Sequence, residues 1–197
     1  MSRNHAPKRA SGAVIRALAL MLAGAALVPA AAPAVAAPAG TVQRGPAVRG
    51  VLDVDSPLEP GEYLWETTHA PRTGRIEIVA DVARDRMYVY RGGVEIGRTI
   101  LIYGADEMPT PLGSFTVLQK DRHHVSNLYG APMPYMMRLT WDGISIHGSG
   151  DVVENRYATH GCIGVPDEFA ALLFRVVRLG DRVTVTRNWR PDLYGEG

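Results

Sequence analysis

Residues 75–90 read RIEIVADVARDRMYVY. Apolar and polar side chains alternate along the stretch, the period-two signal of half-buried β-strands. Outward from it the same signal recurs. Arg91-Gly92-Gly93 reads as a hairpin turn before VEIGRTILIYG (94–104). GSFTVLQK (113–120) reads as a further strand, and DRVTVTR (181–187) as the last. MMRLTW (136–141) and ISIHG (144–148) flank Asp142-Gly143, a hairpin signal because both turn positions need positive φ. One helix stands clear, PDEFAALLFRVVRLG (166–180). Pro166 and two acids, Asp167 and Glu168, open it; Arg175, Arg178 and Gly180 close it. Phe169, Leu172, Leu173, Val176 and Val177 mark its expected buried stripe. Several short strands with one helix predict a mostly β fold, a single sandwich- or barrel-like β domain.

The N-terminus has a different character. MSRNHAPKRA carries Arg3, Lys8 and Arg9 with no acid, and ALALMLAGAALV (17–28) is one apolar run. Small residues and prolines follow, with A-x-A at Ala34-Val35-Ala36. Basic head, short apolar middle and small-residue exit predict a signal peptide over 1–36. Residues 37–74 read as a linker or N-terminal extension, rich in Pro, Gly and Ala over 37–60. Within it Tyr63, Leu64 and Trp65 are expected to pin the segment to the domain surface. The domain itself is expected over 75–187, with a tail at 188–197. The 21 basic and 20 acidic residues give the whole chain a charge of +1; without the four bases of 1–36 the rest is 17 − 20 = −3. A weakly acidic domain with scattered arginines offers no basic field for nucleic acid. Membrane contact is expected only through the leader before cleavage.

The chemistry concentrates at ATHGCIGVP (158–166), which holds the chain's only cysteine. A lone cysteine in an exported protein is an inert buried thiol, an intermolecular partner or a nucleophile. Cys162 lies between Gly161 and Gly164, a few residues before the predicted helix N-terminus. Glycines permit a tight turn and close substrate approach, and a helix N-terminus favours thiolate. Backbone N–H groups in such a turn are candidate oxyanion donors. A nucleophilic thiol needs a base. His160, two residues away in a loop, is badly placed to face Cys162. His147, 15 residues upstream at the end of ISIHG, is better placed, because the intervening loop can return the chain.

Ile146-His147-Gly148, a variable loop, and Thr159-His160-Gly161-Cys162-Ile163 together resemble the signature of the L,D-transpeptidase catalytic domain, the YkuD family. PTPLGSFTVLQKD (109–121), MPYMMRL (133–139) and RMYVYRGG (86–93) are similar to other family stretches. The resemblance implies a mostly β fold around a cleft, a periplasmic or cell-wall location, and peptidoglycan stem peptides as substrate. It implies Cys162 as nucleophile, His147 as general base and the Gly148 carbonyl as the group orienting that histidine. It implies that Gly161 and Cys162 supply oxyanion N–H donors and that Thr159 and His160 shape the pocket, with Tyr135 a weaker pocket candidate. No metal or cofactor is implied. Many family members carry arginine two residues after the cysteine, where this chain has Gly164. Arg138 and Arg156 are the candidates to replace it as holders of a substrate carboxylate.

Three other functions are compatible with the same residues. A tetrapeptide stem whose acyl group is passed to water would make the protein an L,D-carboxypeptidase. A zinc hydrolase would use His123, His147, His160 and Cys162, without the compact ligand spacing of such sites. An exported, non-catalytic β module that binds cell-wall peptides would not need the thiol. His123-His124 reads as a loop or pocket rim. Tyr88, Tyr90 and Trp141 read as strand packing rather than a sugar platform.

Overall fold

The computed structural model describes residues 45–190 except 55, 106, 151–152 and 154–157. The expected leader, residues 1–36, lies outside the described residues, as do Arg156 and residues 191–197 of the expected tail.

The opening stretch divides into β2 (Ile76–Asp81) and β3 (Arg86–Arg91), antiparallel, and β4 (Val94–Ile100) follows across Gly92 and Gly93. Both glycines have positive φ, 57° and 85°, the conformation a tight hairpin requires and L side chains resist. One sheet runs β1 (Tyr63–Trp65), β4, β3, β2, β10 (Arg182–Thr186), β5 (Gly113–Thr116). The second runs β6 (Gln119–Val125), β7 (Pro132–Arg138), β8 (Ser145–Gly148), β9 (Ile163–Val165). GSFTVLQK is therefore two strands, not one: β5 belongs to the first sheet and β6 to the second. Buried Val117 stands between them, where the chain changes sheets.

The two sheets and a helix, α1 (Asp167–Val176), share one core. Ile78, Val89 and Ile96 come from the first sheet, Met137, Ile146 and Ile163 from the second, Phe169 and Leu173 from α1. Of the expected helical stripe, Phe169, Leu173 and Val177 are buried; Ala170 joins them, while Leu172 and Val176 are half-buried. Each fully buried side chain of this size contributes on the order of 1.5–3 kcal/mol. Lys120 caps the far end, donating from Nζ to the carbonyls of Phe174 at 2.7 Å and Val177 at 2.6 Å.

The period-two pattern predicts one solvated face for β2 and β3, but their central residues are buried on both faces. The outward face carries Val79, Tyr88 and Tyr90, and Val48 and Trp189 cover it. Trp189 donates from Nε1 to Tyr90 Oη at 3.1 Å, and its backbone N–H donates to buried Asp81 at 2.8 Å. Gly45 is required beneath that ring, because a Cβ there would meet Trp189 Cη2 at 2.5 Å. Residues read as linker are therefore packed on the sheet. Leu52 N–H donates to the buried carboxylate of Glu95, which Arg98 holds with two bonds of 2.7 Å. Tyr63-Leu64-Trp65 pairs with β4 as an edge strand, and Trp65 reaches over Gly97 to stand edge-on to Phe169 at 5.5 Å.

Candidate active site

The second sheet positions the site. β7 and β8 form a hairpin at the expected place, but not by a two-residue turn with both positions at positive φ. Only Gly143 has it, at 115°, and the turn spans Thr140–Gly143, with Gly143 N–H donating to the Thr140 carbonyl at 3.3 Å and Leu139 N–H to the Ile144 carbonyl at 2.8 Å. β9 then lies parallel to β8, pairing Ile146 with Ile163 and His147 with Gly164. One step back along that register stands Cys162 beside Ser145, and their Oγ and Sγ are 3.4 Å apart. Strand side chains alternate, so Ser145 and His147 share a face. The loop after β8 thus returns the chain with the thiol on the face that carries His147. Both line a cleft of about 1070 Å³. β9 also separates Cys162 from α1, whose first residue, Asp167, turns instead toward the loop after β8.

His147 is 9% exposed. Its Nδ1 lies 2.7 Å from the Gly148 carbonyl oxygen and 3.3 Å from Ser149 Oγ. A carbonyl only accepts, so Nδ1 carries the proton and Nε2 of the neutral ring holds a lone pair. Burial pushes the imidazole below its ordinary value of 6.5. The Gly148 bond and the Asp167 carboxylate act against that shift, and neighbouring His124 adds to it. At neutral pH the ring is therefore an uncharged base. Asp167 also accepts from Gly150 N–H at 2.9 Å and fixes the backbone that follows the histidine.

The cysteine turn is built from its own motif. Thr159 Oγ1 donates to the Cys162 carbonyl, closing the four-residue loop, and Gly161 takes φ 100°. Cys162 is half-buried, and its thiol is within 3.6 Å of the Gly143 carbonyl. His160 does not face the thiol. Its ring stacks on Tyr129 from the β6–β7 connection, centroids 4.5 Å apart. Thr159, His160 and Gly161 all line the cleft.

Tyr135 does not. Its ring packs on Phe174 of α1 at 5.9 Å and beneath Arg122, on the core side of β7. It holds φ 57°, which interrupts the strand's alternation, and Met133 and Pro134 both reach the cleft wall. Arg138 lines the cleft, its Nε held at 2.8 Å by Gln119. Gly164 is buried in β9, and a Cβ there would fall 2.7 Å from Ile102 Cγ1 and against Ser149 Oγ. An arginine at 164 has no room in this backbone.

The zinc reading is not assembled. His123 is exposed and absent from the cleft wall, and among the described residues no group of three His, Cys, Asp or Glu is placed to hold a metal ion. His124 does rim the cleft. Tyr88 and Tyr90 are packed as expected, but Trp141 is 75% exposed at the cleft edge, so it is not a packing residue. Sequence reasoning missed Ser145, Ser149 and Asp167. Only Asp167 gave any signal, and that was as a helix-opening acid.

Comparison with known proteins places the chain in a family. The model of the L,D-transpeptidase catalytic domain, YkuD, matches residues 75–185. L,D-transpeptidase 1 of Mycobacterium tuberculosis is 34% identical over 139 residues, 62% of this chain and 55% of the relative. Probable L,D-transpeptidase 3 of the same organism is 33% identical over 99 residues, 42% of this chain and 36% of the relative. The chain thus spans about half the length, or less, of these curated relatives. Among solved structures, an L,D-transpeptidase from Mycobacterium tuberculosis H37Rv superposes with TM-score 0.53 at 28% identity, covering 57% of each chain. One from Mycobacterium smegmatis gives 0.53 at 25% identity, covering 57% of this chain and 58% of its own. The motif in the cleft, the two-sheet fold and the family match converge: the chain belongs to the L,D-transpeptidase catalytic domain family.

Proposed function

We propose that the protein is a peptidoglycan L,D-transpeptidase, a cysteine acyltransferase acting on tetrapeptide stems in the periplasm or cell wall. The observation that carries the reading is the His147 Nδ1 to Gly148 O bond, which leaves Nε2 as a base on the face that presents Cys162. Cys162 is the nucleophile, His147 the general base and the Gly148 carbonyl its orienting group. Gly161 and Cys162 offer backbone donors, and Thr159 and His160 form the pocket wall. The leader 1–36 directs export, and residues after 36 form the mature enzyme of cell-wall biogenesis and cell shape.

His147 takes the thiol proton and Sγ adds to the carbonyl of the third stem residue. The carbonyl pair moves to oxygen, then returns as the bond to the terminal D-amino acid breaks. His147 gives its proton to that leaving amine. A thioester remains. The amine of a second stem attacks it, the thiol is released, and a 3→3 crosslink is formed. No step takes a metal or cofactor.

Mass spectrometry of products from a disaccharide-tetrapeptide, with Cys162→Ala as control, tests this. Crosslinked dimer absent from the control is the expected result. Tripeptide with free D-alanine would establish hydrolysis, the carboxypeptidase reading. Binding with no turnover and no acyl-thiol would leave the non-catalytic module.

A further inference from the structure

The stretch PTPLGSFTVLQKD contains a threonine that the reaction above leaves without a task. Thr110 is 6% exposed and lies behind the cleft wall rather than in it. Its hydroxyl accepts from Gly104 N–H at 2.9 Å and donates to the Gly161 carbonyl at 2.9 Å. The segment that brings it there leaves the first sheet after β4 and runs onto the second. Ile102 exchanges two backbone bonds of 2.9 Å with Gly164, and Gly104 bridges Thr159. Gly104 has no side chain because a Cβ there would come within 2.7 Å of Gly161 Cα.

The consequence follows from peptide geometry. A trans peptide is planar, so its C=O and N–H point in opposite directions. The Gly161 carbonyl is held on the buried side by Thr110. The Cys162 N–H of the same peptide is therefore turned the other way, toward the cleft that Gly161 and Cys162 line. Among the described residues no backbone hydrogen bond takes up that N–H. The orientation depends on Gly161, at φ 100°, where a Cβ would also fall 2.8 Å from Ile144 Cδ1.

We infer that Thr110 is a positioning residue: by anchoring the Gly161 carbonyl it aims the Cys162 N–H at the oxyanion formed when Sγ adds to the substrate carbonyl. The inference rests on the acyl-transfer reading. Removing a preorganised oxyanion donor costs about 10²–10³-fold in rate, so misaiming one is expected to cost roughly 10- to 100-fold.

Thr110→Val and Thr110→Ser, made in the intact protein, test it through two rates. One is acylation of Cys162 by the disaccharide-tetrapeptide, followed by mass spectrometry. The other is alkylation by iodoacetamide, a displacement at a saturated carbon in which no oxyanion forms. The expected result for Thr110→Val is acylation slowed roughly 10- to 100-fold with alkylation within about twofold of wild type. Thr110→Ser, which keeps the hydroxyl, is expected within about threefold of wild type in both. Undiminished acylation by Thr110→Val overturns the inference, and so does an equal loss of both rates. If Thr110→Val does not fold, Thr110→Ala is read by the same criteria. A wild-type protein that alkylates but never acylates would overturn the acyl-transfer reading and this inference with it.

Discussion

The imidazole of His147 is tied through Nδ1 to the carbonyl of the next residue, Gly148, at 2.7 Å. A backbone carbonyl cannot donate, so it fixes one tautomer without adding a charge to the cleft. Gly148 suits the position because a Cβ there would run into the Asp167 carboxylate and sit 3.1 Å from Pro134 Cγ. The ¹⁵N spectrum of the folded protein at neutral pH is expected to show a protonated Nδ1 and an unprotonated Nε2. His147→Gln is expected to slow acylation by about 10²- to 10⁴-fold, the range for a lost general base. The opposite tautomer, or wild-type acylation by His147→Gln, would remove this role.

Burial holds His147 below 6.5, so the acid limb of kcat/KM is expected below that pH. His124 depresses the ring and Asp167 raises it. The limb should therefore move to higher pH in His124→Gln and to lower pH in Asp167→Asn. The same shift has a stability consequence. Between the depressed folded value and 6.5 the unfolded chain binds a proton that the folded chain does not, so this histidine lowers stability as pH falls through that window. Urea melts of wild type and His147→Gln across it should converge on acidification. Parallel movement of both limbs in one direction would show that the named charges do not act on His147.

Placing at 164 the arginine that the family resemblance leads one to expect should harm this protein. Gly164→Ala already sets a methyl against Ser149 Oγ and Ile102, an overpacking worth about 1–3 kcal/mol. Gly164→Arg should cost at least as much. Combining Gly164→Ala with Ser149→Gly relieves one of the two contacts, so the double variant should recover part of the loss. Equal melting temperatures for Gly164→Ala and wild type would show that this region yields.

The fold extends beyond residues 75–187. Trp189, 3% exposed, covers the outward face of β2 and β3. Trp189→Ala is expected to cost about 3–5 kcal/mol, the range for emptying an aromatic core site. A chain cut to 75–187, the span of the predicted domain, loses Trp189, the segment that holds Val48 and Leu52, and β1. It should melt well below the intact protein and bind a hydrophobic dye. A fully cooperative melt at the intact protein's temperature would mean that these segments are decoration.

Strand identity was legible because alternation and the Gly-Gly turn are local signals; Asp142-Gly143 marked the place of a hairpin but not its turn, in which Gly143 alone has positive φ. RIEIVADVARDRMYVY and ISIHG declared themselves without any partner. The boundary inside GSFTVLQK was not legible, since both strands continue one alternating run and only their pairing partners differ. Tyr135 looked like a pocket residue by its place in the motif, and a positive φ with a seat on Phe174 sent it to the core side.

The sequence by itself determined the chemistry on offer: one thiol, a histidine 15 residues before it, and glycines where backbone must turn or approach closely. Those follow from residue type and spacing, which act over a few bonds. Which groups surround them was decided by the tertiary structure alone. Ser145 beside Cys162, Asp167 beside Gly148 and Thr110 behind Gly161 are joined across 17, 19 and 51 residues of chain. Such contacts depend on strand register and on the crossing of the chain from the first sheet to the second after β4, and no local pattern encodes either.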